Sequence, residues 1–329
     1  MAITIRDVAK RAGVAPVTVS RVINNSGIVS LKTRECVETA IEELGYVPNM
    51  LGPSLRSQQT MTLALVVTDI TNSFWTTLTR GVLDFAQTSG YSTILCNTDE
   101  SVEKQSQYLQ MLLRRRIDGI LLVPASSSPD PIQLIQKQSI PVVVLDRQVS
   151  DVDVDIVRAD SEKGAYQLTR HLLTLGHKQI SMVAGPRSVS TAIDRVNGFC
   201  RALNEIGLEL CDTQVLWGDF TQESGYKLAK TSLEMSPKPT ALFASNNFVA
   251  IGALRALREK NYRVPEDIAM VAVDDIHPAF AVEPFLTVAK QPVREMGKQA
   301  THLLLERIRG DAGSSCKQIV LPTEMIIRT

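Results

Sequence analysis

The first thirty residues constrain the fold most, because they predict two short helices separated by a glycine turn. Thr4 can cap the first helix, and Asp7 three residues later completes a capping box. Gly13 tolerates the left-handed conformation that ends a helix, and Pro16 suits the first turn of the next helix. Two short helices joined in this way are typical of a helix-turn-helix, whose second helix enters the major groove of DNA.

A third helix is predicted from about residue 31 to residue 44, with Ser30 as its cap and Gly45 at its end. Apolar residues recur at helical spacing in all three segments, so each helix has one face for a shared core. The apolar stripes are Ile5, Val8, Ala9 and Ala12 in the first helix, Val19, Val22 and Ile23 in the second, and Cys36, Val37, Ala40, Ile41 and Leu44 in the third.

Positive charge is concentrated in this segment, although the whole chain is neutral, with 35 basic and 35 acidic residues. Residues 1–34 carry six lysines and arginines against Asp7 alone, a net charge of +5. An ordinary solvated surface is one interpretation of this charge. On a helix-turn-helix we interpret it as a surface that faces DNA phosphates, which supply most non-specific affinity.

Several classes of protein are disfavoured by the rest of the sequence. The five cysteines include no C-x-x-C pair, so neither a disulfide framework nor a metal site is expected. Nucleotide-binding glycine motifs and the G-x-S-x-G elbow are absent, so an enzyme is disfavoured and no cofactor is expected. No secretory signal or long apolar run is found, which predicts a cytoplasmic protein without membrane contact.

Residues 61–329 alternate short apolar runs with amphipathic helices, which predicts a doubly wound α/β fold on parallel sheets. Eight strand–helix units exceed one comfortable sheet, so two subdomains are expected. Strands are predicted at 62–68, 91–96, 119–123, 142–145, 179–184, 214–217, 241–244 and 268–273. Helices are predicted at 75–89, 102–115, 131–138, 162–175, 192–206, 223–233, 248–259 and 293–309.

Ligands of such folds bind where the strands end. Most of these ends are polar, which favours a hydroxylated ligand over an apolar one. The predicted strand ends are Thr68-Asp69, Asn97, Pro124, Asp146-Arg147, Gly185, Phe220, Ser245-Asn246 and Asp274-Asp275.

Ordered sequence runs extend along the whole chain. They are I-R-D-V-A-K-R-A-G-V, T-V-S-R-V-I-N, L-G-Y-V-P-N, D-I-T-N-S-F-W, I-D-G-I-L-L-V-P, P-V-V-V-L-D-R, H-L-L-T-L-G-H-K-Q-I, D-R-V-N-G-F, G-D-F-T-Q-E-S-G-Y, V-P-E-D-I-A-M-V-A-V-D-D-I and A-K-Q-P-V-R-E-M-G. In this order and spacing they resemble the lactose-repressor family of bacterial transcriptional regulators. The resemblance implies an all-α helix-turn-helix head joined to an α/β periplasmic-binding-protein-like core of two doubly wound parallel-sheet subdomains.

The resemblance also implies a set of DNA contacts. Pro16 and Val17 would choose the operator through apolar contacts, and Arg21 would reach a base edge, since arginine matches the two acceptors of guanine. Leu55 would be the apolar wedge of a hinge, although Gly52-Pro53 replace the usual Ala-Arg there and disfavour a helix. The remaining implied contacts are Thr4, Ser20, Asn24, Ser30 and Thr33 to phosphates and Asn49 in the minor groove.

The resemblance implies an effector site in the same way. The Arg195 guanidinium would bind ligand hydroxyls or a carboxylate, and the Phe220 ring would stack against the ligand. Ser73 replaces the usual proline, and Ala272-Val273 replace Gly-Phe, so the pocket shape is expected to differ. A sugar, a sugar acid and a similar polar metabolite all remain possible effectors. The implied site residues are Phe74, Asp146, Arg147, Thr191, Arg195, Phe220, Asn246, Asp274 and Gln291.

The expected organisation is a DNA-binding head over residues 1–46, a hinge over 47–60 and an effector-binding and dimerisation core over 61–329. The first subdomain is expected at about 61–159 and 289–320, and the second at about 160–288 and 321–329. A homodimer on a pseudo-palindromic operator is expected, since no leucine-heptad tail follows the last strand. The expected function is a ligand-responsive repressor of carbohydrate or related catabolic genes; a sugar receptor of the periplasmic type is the alternative.

Overall fold

The protein is described by a computed structural model over residues 3–47, 59–208, 214–276 and 285–328. These residues fall into two compact units, one up to Thr60 and one from Met61. The predicted hinge contacts Asn49 and Leu55, with Gly52-Pro53, lie outside the described residues. Within the described ranges, no helix is long and apolar enough to span a membrane.

The first unit contains the three predicted helices, α1 (Ile5–Ala12), α2 (Pro16–Ile23) and α3 (Leu31–Leu44). The Asp7 carboxylate accepts hydrogen bonds from the Thr4 backbone N–H at 2.8 Å and from the Thr4 hydroxyl at 2.7 Å. Gly13 ends α1 with φ +67°, in the left-handed region that favours glycine. The predicted turn between α1 and α2 is therefore confirmed.

The core of this unit is formed by Val8, Val19, Val22 and Val37 with two alanines, all buried. Cys36 was expected in the apolar stripe of α3, but the structure places it on the exposed side of that helix. The correction follows from geometry, because adjacent helical residues point about 100° apart and Val37 already faces the core.

The second unit alternates strands and helices. Its strands are β1 (Thr62–Val67), β2 (Ser92–Asn97), β3 (Gly119–Leu122), β4 (Val142–Leu145), β5 (Asp155–Ala159), β6 (Ile180–Ala184), β7 (Val215–Trp217), β8 (Ala241–Ala244), β9 (Ala269–Val273), β10 (Thr287–Lys290), β11 (Gln318–Leu321) and β12 (Glu324–Ile326). Its helices are α4 (Ser73–Thr88), α5 (Val102–Arg114), α6 (Asp130–Gln136), α7 (Ser161–Thr174), α8 (Ser190–Asn204), α9 (Gln222–Leu233), α10 (Asn247–Glu259) and α11 (Val293–Arg309).

Two sheets organise this unit, each the base of one subdomain. The first has the strand order β11-β5-β4-β3-β1-β2, and all its described pairs are parallel. The second has the order β12-β10-β9-β8-β6-β7 and is parallel except for the β10–β12 pair. Apolar clusters cover both faces of each sheet, so the predicted doubly wound architecture is confirmed.

Four strands, β5, β10, β11 and β12, were not among the predicted ones. In β5 the carboxylate of Asp155 is buried because the Arg307 guanidinium binds both of its oxygens, at 2.6 and 2.8 Å. Because Asp155 is charged, the pattern of hydrophobic residues does not indicate this strand. The expected subdomain boundaries at 288/289 and 320/321 fall inside β10 and β11, so the chain crosses between the sheets after each of these strands.

Close helix pairs flank the second sheet, and glycine allows their approach. A Cβ at Gly198 on α8 would lie 2.1 Å from the Glu162 carbonyl oxygen on α7. A Cβ at Gly252 on α10 would lie 1.9 Å from the Gln222 carbonyl oxygen on α9. Close packing at these glycines fixes α8 and α10, whose first turns border the cleft between the two subdomains.

Candidate functional site

The predicted DNA-contact residues in the first unit lie on its surface. Pro16, Val17 and Arg21 on α2 are exposed, Val17 with 56% of its surface, although apolar side chains on a short helix ordinarily face the core. Among the expected phosphate contacts, Thr4, Asn24 and Ser30 are exposed, and Ser20 and Thr33 are half-buried. The outward face of α2 therefore takes no part in the core of the first unit.

Several of these polar residues also stabilise the ends of the helices. Asn24 Nδ2 donates to the Ser20 carbonyl at 2.8 Å, and the Ser30 hydroxyl accepts from the Thr33 backbone N–H at 3.2 Å. Hydrogen bonds within the first unit therefore help to hold these side chains in place.

The positive charge of this unit is partly balanced by glutamates of α3 that lie beyond residue 34 and so outside the count over residues 1–34. Arg11 forms an ion pair with Glu43 at 2.5 Å, and Arg34 lies 3.8 Å from Glu38. Arg6, Lys10 and Arg21 remain exposed basic residues on the first two helices.

A cavity of about 530 Å³ lies in the second unit, lined by residues of both subdomains. Eight of the nine predicted effector residues line it, all except Gln291. The lining residues are Asp69, Thr71, Asn72, Phe74, Trp75, Asp99, Glu100, Asp146, Arg147, Pro186, Thr191, Arg195, Asp219, Phe220, Thr221, Asn246, Asn247 and Asp274.

Two buried carboxylates, Asp146 and Asp274, follow β4 and β9 directly. Both take left-handed backbone conformations, with φ +65° and +63°. Asp146 Oδ1 is buried and has no hydrogen-bond partner in the described part of the protein. Residues held in such sparsely populated conformations cluster at ligand sites, where the surrounding fold fixes them.

Burial raises the pKa of both carboxyls. The raised pKa of Asp146 results from desolvation, which Arg195 and Arg147 oppose. Desolvation likewise raises the pKa of Asp274 to about 6, against the opposing effects of Arg195 and a hydrogen bond from Gln291. A ligand that donates hydrogen bonds to these oxygens would stabilise their ionised forms.

Arg195, on α8, is buried and donates to the Ser245 carbonyl at 2.9 Å. Its guanidinium lies 5.5 Å from the centroid of the Phe220 ring, while its Nε finds no acceptor among the described residues. Gly185 leaves space for this ring, since a Cβ there would lie 2.3 Å from it. The aromatic face and the free donor therefore meet at the same side of the cavity.

Arg147 is fixed by a partner that sequence reasoning missed. Its guanidinium binds both Glu100 oxygens, at 2.6 and 2.7 Å, and also donates to the Pro124 carbonyl at 2.7 Å. Most of the charge of Arg147 is thus balanced within the protein. Its Nε remains without a partner in the described ranges.

Gln291 lies behind the cavity wall. It is 2% exposed, and its Nε2 donates to Asp274 Oδ2 at 2.8 Å. The residue therefore orients the Asp274 carboxylate and does not itself line the cavity.

Further lining residues were not predicted as effector residues. Trp75 packs edge-on against Phe74, with ring centroids 4.7 Å apart, and Asn72 and Asn247 bring an amide from each subdomain. Among these further lining residues, the rule that ligands bind at strand ends pointed only to Asp69. Asp99, Glu100 and Asp219 lie a few residues past their strands, where no periodic pattern marks them.

Comparisons with known proteins agree with this geometry. Residues 60–329 match the family described as periplasmic binding proteins and sugar binding domain of the LacI family, and residues 4–49 match bacterial regulatory proteins of the lacI family. The chain belongs to the LacI family. The match of the head decides against the alternative of a periplasmic sugar receptor.

Relatives extend over the full length of the chain. The HTH-type transcriptional repressor PurR of Pasteurella multocida (strain Pm70) is 37% identical over 326 residues, which cover 99% of this chain and 97% of PurR. A complex of the regulator CelR with cellobiose is 33% identical, with a TM-score of 0.76 and 99% of each chain covered. The Lac repressor dimer bound to operator and the anti-inducer ONPF is 28% identical, with a TM-score of 0.87 and 100% and 98% covered.

This LacI-family protein is therefore a ligand-responsive transcriptional repressor with a DNA-binding head and an effector-binding core. Its relatives are transcriptional repressors and not enzymes.

Proposed function

We propose that the cavity binds a neutral polyhydroxylated ligand, a sugar, through the predicted effector residues. The observation that carries this proposal is the set of unpartnered buried atoms around one space, with an acceptor on Asp146 and donors on Arg147 and Arg195. A hydroxyl group both donates and accepts, so a polyol satisfies all three. Phe220 and Trp75 offer apolar faces for the C–H side of a sugar ring.

The charge of the lining favours a neutral sugar over a sugar acid. Two arginines face six carboxylates, and Arg147 is already paired with one of them. A carboxylate or phosphate on the ligand would enter a field of its own sign. The six are Asp69, Asp99, Glu100, Asp146, Asp219 and Asp274.

Calorimetry with matched ligands tests this proposal. Glucose, ribose and cellobiose serve as neutral probes, and glucuronate and ribose 5-phosphate serve as anionic ones. We expect binding within the neutral set and a large loss in Arg195→Ala, whose hydrogen bonds to ligand are charge-assisted. Tighter binding of the anionic probes would refute the assignment. Lys227→Ala, on the solvent side of α9, is the control and should bind as the wild type does.

We further propose that a homodimer reads a pseudo-palindromic operator in the cytoplasm, with α2 of each head in a major groove. The exposed side chains of Pro16, Val17 and Arg21 support this arrangement. In the proposed complex, Asn49 and Leu55 enter the minor groove, and the phosphates are bound by Thr4, Ser20, Asn24, Ser30 and Thr33. Selection of bound duplexes from a random pool, with sedimentation of the protein, tests both statements. Asymmetric selected sites or a monomer would contradict them.

The protein acts by binding and not by catalysis in this proposal. A sugar that changes the closure of the cleft changes operator affinity, and operator must then change sugar affinity by the same factor. The regulated genes are those of carbohydrate use. Operator titrations with and without a bound sugar measure the coupling, and equal affinities would refute it.

A further inference from the structure

Two asparagine side chains join the subdomains directly across the cleft. Asn72 caps α4 of the first subdomain, and Asn247 is the first residue of α10 in the second. Asn72 Nδ2 donates to Asn247 Oδ1 at 3.0 Å, and Asn247 Nδ2 donates to Asn72 Oδ1 at 2.9 Å. They are only 5% and 2% exposed, so water competes little for these bonds.

Each amide is oriented by its own helix. Asn72 Oδ1 accepts from the Phe74 backbone N–H at 3.0 Å, and Asn247 Oδ1 accepts from the Phe248 backbone N–H at 2.8 Å. The reciprocal pair therefore forms without further ordering of either side chain once the helix starts come together. A separation of the starts of α4 and α10 by more than about 1 Å breaks both of its bonds.

Other bonds between the subdomains accompany this pair. The Gln148 backbone N–H donates to the Ser190 hydroxyl at 2.7 Å, and Arg158 forms an ion pair with Asp194 at 3.2 Å. The groups in these contacts are more exposed than the two amides. The asparagine pair is thus the most protected polar link that the described residues show between the two sides of the cavity.

We infer that the reciprocal Asn72–Asn247 pair is a latch that holds the two subdomains together when the cavity is empty. Both residues line the cavity, so an entering ligand meets the latch itself. The latch sets how far the unliganded protein already occupies the closed arrangement, whatever the chemical class of the effector. The latch thereby determines how much of the closure of the cleft must still be driven by ligand binding.

The double variant Asn72→Asp/Asn247→Asp tests the latch in the full-length protein without ligand. Aspartate caps α4 as well as asparagine does, and a negative charge is favourable in the first turn of α10, whose cap Asn246 is unchanged, so both helices should persist. Two carboxylates at this distance repel at pH 7 and share a proton in acid. Hydrogen exchange of the Gln148 amide reports opening at a separate contact. We expect exchange at least about tenfold faster than in the wild type at pH 7, and a smaller excess at pH 5.

The single variants Asn72→Asp and Asn247→Asp are matched controls, since each adds one charge at a helix start and keeps one amide hydrogen bond. We expect each to change Gln148 exchange less than the double variant does. Unchanged Gln148 exchange in the folded double variant would overturn the latch, and so would a single variant with the full effect. If the double variant does not fold, Asn247→Ala gives the same readout, and an unchanged rate there overturns the inference.

Discussion

Asp274→Asn is expected to stabilise the unliganded protein at neutral pH. Burial raises the pKa of Asp274 from 3.8 to about 6. A raised pKa means that the folded protein holds the proton more tightly than the unfolded chain, so stability falls as the pH rises from the lower value through the upper one. The gap of about two pKa units corresponds to about 3 kcal/mol of stability that is absent above pH 7.

Asparagine suits this position in other respects. It tolerates the left-handed φ of +63°, and its carbonyl oxygen can still accept the hydrogen bond from Gln291 Nε2. The pKa of about 6 already includes the stronger hydrogen bond that Gln291 gives to the ionised carboxylate, so a gain of about 3 kcal/mol is expected at neutral pH.

Urea unfolding at pH 5 and pH 7.5 measures the effect. With the same two pKa values, the advantage of Asp274→Asn over the wild type should be about 1 kcal/mol larger at pH 7.5 than at pH 5. Asp84→Asn is the control, since Arg294 and Arg80 lower the pKa of Asp84 and keep it ionised throughout this range. Equal pH dependence of the wild type and Asp274→Asn would refute the reasoning.

Three further substitutions probe other parts of the molecule. Arg21→Ala should cost about 1–3 kcal/mol of operator affinity and relax one base-pair preference, and selected duplexes identical to those of the wild type would contradict this. Gly185→Ala should abolish sugar binding in calorimetry, because its methyl group would lie 2.3 Å from the Phe220 ring; retained affinity would disprove that packing. Gly198→Ala should lower the free energy of unfolding by more than about 2 kcal/mol, since the Glu162 carbonyl is 2.1 Å from the new atom, whereas an unchanged urea midpoint would argue against the contact.

Much of the fold could be predicted from the sequence because local signals agree with it. The bounds of α3 and α11 match the predicted ones, as Ser30 caps and Gly45 ends α3. The central strands are continuous apolar runs, which parallel sheets with two covered faces require. The missed strands carry polar residues or lie at sheet edges. In β5, for example, the charge of Asp155 is balanced by Arg307, which is 152 residues away in the chain.

The candidate site was predicted through family resemblance and the strand-end rule, and both point to residues next to regular elements. Neither could indicate Glu100, which is exposed and follows Asp99 in a turn but binds the buried Arg147. Nor could they pair Asn72 with Asn247, which are 175 residues apart in the chain. The first contact depends on packing within the first subdomain and the second on the relative placement of the two subdomains, and no local pattern encodes either.

The order of strands in the two sheets has a consequence for synthesis on the ribosome. β11 completes the first sheet beside β5, and β12 completes the second beside β10, yet both strands lie within residues 318–326. Until this stretch emerges, a nascent chain presents open strand edges on both half-built sheets, and such edges invite pairing with other chains. The head can collapse early, whereas the two sheets of the core keep these open edges until residues 318–326 have been synthesised and paired as β11 and β12.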